Sequence, residues 1–156
     1  MTPEPSAADR IRELLEEIAD AYDLDAEVIV EEDDETIRGV LEGEDLGLVI
    51  GRHGQTIDAL EHLALRIAFP GGGTRGDRKR VVIDAAGYRA RREEALVRQA
   101  DKAASEAVRF GRPVALDAMA SNERRVVHEY LRDRHDVETY SEGDEPDRHL
   151  VVAPVA

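Results

Sequence analysis

Val49-Ile50-Gly51-Arg52-His53-Gly54-Gln55-Thr56-Ile57 places two glycines around two cationic or potentially cationic side chains. Glycine at both ends lets the backbone turn tightly and come close to a ligand. A helix starting just after such a turn aims free N–H groups and the positive end of its dipole back at it, and Arg52 and His53 add donors of their own. The segment therefore suits an anion. A Gly-x-x-Gly turn by itself also serves as an ordinary connector between two helices, so the meaning of this one depends on what surrounds it.

Upstream, Ser6 and Asp9 have the spacing of a capping box. Behind them Ile11, Leu14, Leu15, Ile18, Ala19 and Tyr22 recur with helical period, which predicts an amphipathic helix over 8–22. Ala26 to Glu32 is rich in β-branched residues and Thr36 to Glu42 alternates, so two strands are expected as a hairpin about the acidic turn Asp33-Asp34. Leu46 to Ile50 is a short apolar stretch. After the glycine turn, Ile57, Leu60, Ala64 and Ile67 mark a helix that Pro70-Gly71-Gly72-Gly73 stops. A basic loop from Arg75 to Arg80 leads to a third strand, Val81 to Ala85. The order is αββααβ.

With that order around it, the glycine turn resembles the GXXG loop of a KH domain of the type II topology. In that family the loop clamps the backbone of about four single-stranded nucleotides while an apolar groove beside it takes the bases. The resemblance implies a three-stranded sheet with helices on one face, and RNA contacts from Ile50, Gly51, Arg52, His53, Gly54, Gln55 and Ile57.

From Tyr88 a long helix is expected to about Phe110, with Leu96, Ala100, Ala103, Ala107 and Phe110 on one stripe, mostly alanine, that requires close packing. Val114, Leu116 and Ala118 alternate as a strand. Ser121 or Asn122 is placed to cap a helix reaching about Arg134, and strands follow at 137–140 and 150–152, giving αβαββ. On a helical wheel of the last helix, Arg124, Arg125, His128, Arg132 and His135 share one face, opposite Val126, Val127, Tyr130 and Leu131. That pattern is also an ordinary solvated face. The spacing Arg124-x-x-x-His128 nevertheless resembles the motif of the R-3-H domain. It implies nucleic-acid binding by Arg124, Arg125, His128 and Arg132.

A KH domain followed directly by an R-3-H domain is similar to the bacterial Jag, or SpoIIIJ-associated, family. The expected fold class is α+β in two small domains: a disordered start over 1–7, the KH domain over 8–87 and the R-3-H domain over 88–156. The resemblance implies a non-enzymatic protein of the cytoplasm that binds single-stranded RNA, with single-stranded DNA as an alternative ligand. It also implies a role as post-transcriptional regulator or RNA chaperone in cell elongation and division, with a small KH-only protein or a second copy of the chain as partner. Many family members carry a further N-terminal Jag domain; here the motifs are preceded by a short acidic segment.

The 156 residues contain no cysteine, which excludes disulfides, thiolate zinc sites and cysteine nucleophiles. No apolar run approaches the ~20 residues of a membrane span, so no membrane insertion is expected. The start of the chain has no basic and apolar leader pattern. The net charge of -14 argues against a polyanionic ligand until its placement is examined. Residues 1–45 hold 17 acidic and 3 basic side chains, whereas residues 46–135 hold 17 basic and 12 acidic. His128-Glu129 opens like a zinc-protease motif, but Arg132 stands where the second histidine belongs, so no metal is expected, and no cofactor motif is present. Arg75-Gly76-Asp77 is read as a chance adhesion tripeptide. The alternative function is a protein–protein adaptor whose KH fold dimerises and whose acidic first helix and hairpin meet a basic partner.

Overall fold

Helix α1 (Ala7–Ala21) begins at the reciprocal hydrogen bonds that its sequence foreshadows. Asp9 N donates to Ser6 Oγ at 3.1 Å, and Ser6 N donates to the Asp9 carboxylate at 3.0 Å. Hydrogen bonds from Ser6, its backbone N–H contributing most, hold the Asp9 carboxyl below its ordinary pKa. Ser6 and Ala7 thus belong to the helix start, which corrects the expectation of disorder over 1–7. The computed structural model of the chain describes residues 2–72, 76 and 78–155. Arg75 and Asp77 of the adhesion-like tripeptide, and with them part of the basic loop, lie outside the described residues.

Strands β1 (Ala26–Glu32) and β2 (Thr36–Gly43) form an antiparallel hairpin, with Val28 opposite Leu41 and Glu32 opposite Ile37. Its turn closes through Asp33, whose carboxylate accepts from Glu35 N at 2.8 Å and Thr36 N at 2.7 Å. Aspartate favours such turns because its side chain reaches the backbone two residues on. The chain then makes the short helix α2 (Gly47–Ile50), the glycine turn and helix α3 (Gln55–Ala68), before β3 (Arg80–Ala85) returns parallel to β2. The sheet order is β1-β2-β3. Helices α1 and α3 pack on one face of it, and Ile11, Leu15, Ile37, Leu41, Ile57 and Ile83 are fully buried between the layers. Gly39 permits the close approach of α1, since a Cβ there would stand 2.8 Å from Leu15 Cδ1.

The chain divides into two compact units between Arg89 and Ala90, inside the first turn of helix α4 (Tyr88–Phe110). In the second unit the alanine stripe packs as its composition requires, except that Phe110, expected on it, ends the helix 56% exposed. Leu96, Ala100, Ala103, Ala104 and Ala107 are buried against Val127, Leu131, Leu150 and Val152. Strands β4 (Val114–Ala115), β5 (Val137–Glu142) and β6 (His149–Pro154) form an antiparallel sheet in the order β4-β6-β5, and helix α5 (Ser121–Leu131) precedes β5. Three expectations need correction. The strand expected through Ala118 ends at Ala115, and beyond it isolated bonds continue the edge, Leu116 N to Leu150 O at 2.9 Å and Met119 N to Arg148 O at 3.3 Å. The N-cap of α5 is Ala120, with no side-chain bond, so Ser121 and Asn122 are helical residues. The helix stops at Leu131 because Arg134 N turns back to Leu131 O, while the Arg134 guanidinium forks onto Asp136 at 2.9 and 2.7 Å.

Among the described residues no helix is long and apolar enough to cross a membrane. The layer between α1 and the sheet is expected to respond to a single truncation. Leu15→Ala leaves a cavity beneath β2 and should cost about 2 to 5 kcal/mol, as measured by chemical denaturation followed by circular dichroism.

Candidate nucleic-acid interface

The glycine turn follows a backbone path that neighbouring side chains make obligatory. Gly51 has φ 74° and ψ 176°, and a Cβ on it would meet Thr56 Oγ1 at 2.2 Å. Gly54 has φ 78° and ψ 13°, and a Cβ there would stand 2.7 Å from Tyr88 Cε1. Between them His53 adopts φ 55°, a left-handed conformation that costs energy for any residue with a Cβ. Arg52 and His53 are both exposed at the apex.

Helix α3 starts at Gly54 without a side-chain cap. Gln55 N donates to Arg52 O, but no side chain competes with an anion for the N–H groups of the rest of the first turn. Asp58, in the first turn of α3, would oppose that. Its carboxylate is paired with Arg89 Nη1 at 2.9 Å, and Glu61, one turn on, is paired with Arg89 Nη2 at 2.9 Å. One guanidinium thus pairs with both acids of α3 nearest the turn and offsets part of their charge, and residues 46–57 contain Arg52 and His53 but no acid. The local charge at the turn is cationic within an acidic chain.

Of the positions assigned to the KH groove, Arg52, His53 and Gln55 are exposed, Ile50 and Gly51 are half-buried and Gly54 is buried. Ile57 requires correction. It is fully buried in the core beneath α3, so its side chain offers no surface to a base and supports the turn from behind. Leu48, on α2 just before the turn, is 69% exposed and presents apolar surface there. Periodicity does not single it out, because a four-residue helix has no wheel to read.

In the second unit, helix α5 turns differently from the expected wheel. Its buried side is Glu123, Arg124, Val127 and Leu131, whereas Tyr130 is exposed with its hydroxyl on the Asp101 carboxylate at 2.9 and 3.0 Å. That hydrogen bond raises the Tyr130 pKa above the ordinary phenol value. Arg124 is only 7% exposed, so it does not stand on the solvated cationic face with Arg125, His128 and Arg132. His135 falls in the turn beyond the helix and also leaves the stripe.

The Arg124 Nη2 atom donates to Glu145 at 2.7 Å, in the loop between β5 and β6, while its Nε is buried with no hydrogen-bond partner among the described residues. His128 Nδ1 meets Thr139 Oγ1 of β5. Arg124, His128 and Thr139, with Ser121 and Arg125, border an open depression of about 360 Å³ between α5 and the sheet. The hollow is mainly apolar, with Tyr140 and Leu150 in its wall, and Arg124, Arg125 and His128 add cationic or donor groups, a combination that suits a nucleotide. Thr139 and Glu145 fall outside any reading of the sequence, because their pairing with the Arg-x-x-x-His motif is tertiary and no local pattern marks it. Tyr88 and Thr56 are invisible there for the same reason. No group of three or more His, Cys, Asp or Glu able to hold a metal occurs among the described residues.

Residues 8–83 match the KhpA/KhpB KH domain model, and residues 94–154 match the R-3-H domain model. The chain is 37% identical over 144 residues to the RNA-binding protein KhpB of Bacillus subtilis, an alignment covering 89% of this chain and 66% of that protein. It is 35% identical over 147 residues to KhpB of Clostridium symbiosum, covering 93% and 65% of the two chains. With KhpB of Streptococcus pneumoniae the identity is 30% over 146 residues, covering 93% of this chain and 43% of that one. The chain therefore spans just under two thirds of the first two relatives and less than half of the third. Each relative is named for RNA binding rather than for a reaction. With both domain models matched in order and along most of its length, the chain belongs to the family that joins a KhpA/KhpB-type KH domain to an R-3-H domain.

Proposed function

We propose that the chain is a non-enzymatic protein that binds single-stranded RNA through two contact sites. The observation that carries the reading is the exposed Arg52-His53 pair, held between two obligatory glycines at the uncapped N-terminus of α3. A phosphate at this turn would meet backbone N–H groups and two side-chain donors, with the nearby carboxylates already paired to Arg89. Ile50 and Leu48 beside it offer apolar surface to unstacked bases. The second site is the edge of α5, where Arg125, His128 and Arg132 face solvent and Arg124 lines the hollow from within. The names of the relatives support the same ligand class. Action as a regulator or chaperone of cellular RNA, a link to cell elongation and division, residence in the cytoplasm, and pairing with a small KH-only protein or a second copy rest on the family resemblance. Crosslinking in cells with sequencing of the bound RNA tests the first of these.

Unstacked bases are hidden in a duplex, so the chain should bind unstructured RNA more tightly than duplex RNA of equal length. Equal or tighter duplex binding in a titration would refute the reading. Arg52→Asp combined with His53→Asp places two carboxylates where the phosphate approaches. It should remove most binding at unchanged melting temperature, and survival of binding would favour the adaptor reading instead.

The turn's backbone makes a separate prediction. Gly51→Ala should lower stability by about 1 to 3 kcal/mol, through the contact with Thr56 and the strained φ. Gly47→Ala, with open space around its Cβ position at the start of α2, should be neutral or slightly stabilising. Thermal denaturation of the two variants side by side checks the contrast.

For the second site, replacing the exposed Arg125 and Arg132 by alanine should flatten the dependence of log affinity on log salt by about 0.7 for each phosphate that is no longer neutralised. Base preference should barely change, since phosphate contacts position the strand without reading it. Arg124 is kept in that variant because its buried guanidinium is also part of the packing.

A further inference from the structure

The glycine turn needs an external support. His53 sits in a left-handed conformation, Gly51 and Gly54 have positive φ, and α3 has no capping side chain to fix its first turn. Strained backbone persists only where its surroundings over-determine it. On one side the support is local, Thr56 against Gly51. On the other it comes from far along the chain, for the ring of Tyr88 lies against the α-carbon of Gly54. A Cβ there would stand 2.7 Å from Cε1, 2.9 Å from the hydroxyl oxygen and 3.1 Å from Cζ.

Tyr88 is itself held in place. The turn before it, Ala86-Gly87, has φ 48° and 68°, and Ala86 N donates to Leu41 O at 2.9 Å. The next residue, Arg89, donates from Nε to Ile83 O at 2.7 Å and from its backbone N to Asp84 at 3.2 Å, besides its pairs with Asp58 and Glu61. Asp84 in turn is buried, accepting from Ala85 N at 2.8 Å and pairing with Arg38 at 3.2 Å. The segment 86–89 is thus bonded to β2, β3 and α3, and the flat ring projects from it against the turn. A tyrosine ring has few rotatable bonds and a large rigid surface, which suits it to this use.

We propose that Tyr88 is a positioning residue for RNA binding, acting as a wedge that keeps the Gly51–Gly54 turn in the conformation able to receive a phosphate. The ring touches no nucleotide. It acts through Gly54 on the backbone of Arg52 and His53, so its removal lets the turn relax and the donors disperse. The inference rests on the reading of this turn as an RNA contact.

The test uses the full chain and a fluorescently labelled, unstructured RNA oligonucleotide, at a temperature where circular dichroism shows every variant folded. Tyr88→Ala should weaken binding about tenfold, and Tyr88→Phe, which keeps the ring, should stay close to the parent. Tyr88→Leu keeps apolar bulk without the flat ring and serves where the alanine variant does not fold; it should also lose affinity. Amide hydrogen exchange provides a readout that general destabilisation would not reproduce. Exchange should accelerate at Arg52 to Thr56 in the Leu or Ala variant while the amides of β1 and β2 keep their protection. Parent-like binding by a folded Tyr88→Leu or Tyr88→Ala protein, beside an Arg52→Asp, His53→Asp protein that no longer binds, overturns the wedge and leaves the RNA site standing. Parent-like binding by the double-aspartate protein overturns both.

Discussion

The first unit depends on one constraint: between α2 and α3 the backbone passes two points at which a side chain cannot be accommodated. At Gly51 the obstruction is Thr56, the second residue of α3, and at Gly54 it is the ring of Tyr88. These two contacts send the chain through a left-handed histidine and start α3 at a glycine without a cap. The features that make the segment costly to fold are those that give it anion-binding capacity. A capping side chain would occupy the N–H groups that a phosphate needs, and a wider turn would withdraw Arg52 and His53 from the helix end. Cost and capacity have one origin, which is why the surrounding structure has to supply the support.

Much of the fold is legible in the sequence because its signals are local. The capping box at Ser6 and Asp9, the period of Ile11, Leu14, Leu15 and Ala19, and the Asp33 turn each specify an element within a few residues. Where such signals mislead, tertiary packing overrides them. Val114, Leu116 and Ala118 alternate as a strand should, yet only Val114 and Ala115 pair regularly, since past them the chain bends to bury Met119. Polarity extends helix α5 to Arg134, but the Arg134–Asp136 pair belongs to the turn that delivers β5.

The candidate sites divide along the same line. Gly51, Arg52, His53 and Gly54 can be named from sequence because a glycine pair has a conformational meaning that does not depend on distant residues. Periodicity puts Ile57 on the apolar stripe of α3 with Leu60 and Ala64, where it is buried, whereas its place in the groove comes from the family resemblance. On α5 the wheel is misplaced by about half a residue's rotation. Polarity puts the apolar side around Val126, Val127, Tyr130 and Leu131, whereas packing buries Glu123 and Arg124 with Val127 and Leu131. Two charged residues can be buried only because each has a partner that sequence order conceals, Arg92 for Glu123 at 2.7 Å and Glu145 for Arg124 at 2.7 Å. An unpaired charge at either position would be too costly to bury.

The remaining difficulty is how a chain of net charge -14 offers any surface to a polyanion. Ionic screening supplies part of the answer, since at physiological salt the Debye length is about 8 Å and a bound phosphate responds to the charges beside it rather than to the total. Placement supplies the rest. Most of the excess of acid lies in residues 1–45, with a smaller excess over 136–156, and several acids that border the two sites are paired: Asp58 and Glu61 with Arg89, Glu145 with Arg124. Pairing leaves the turn with Arg52 and His53, and the α5 edge with Arg125 and Arg132 exposed. The acidic helix and hairpin therefore do not oppose local binding, but they do set its range. Away from the two sites the protein repels phosphate, so a long RNA would be held at defined points instead of being coated. Weak nonspecific adsorption and local contact are compatible on one small chain when the opposing charges are segregated along the sequence in this way.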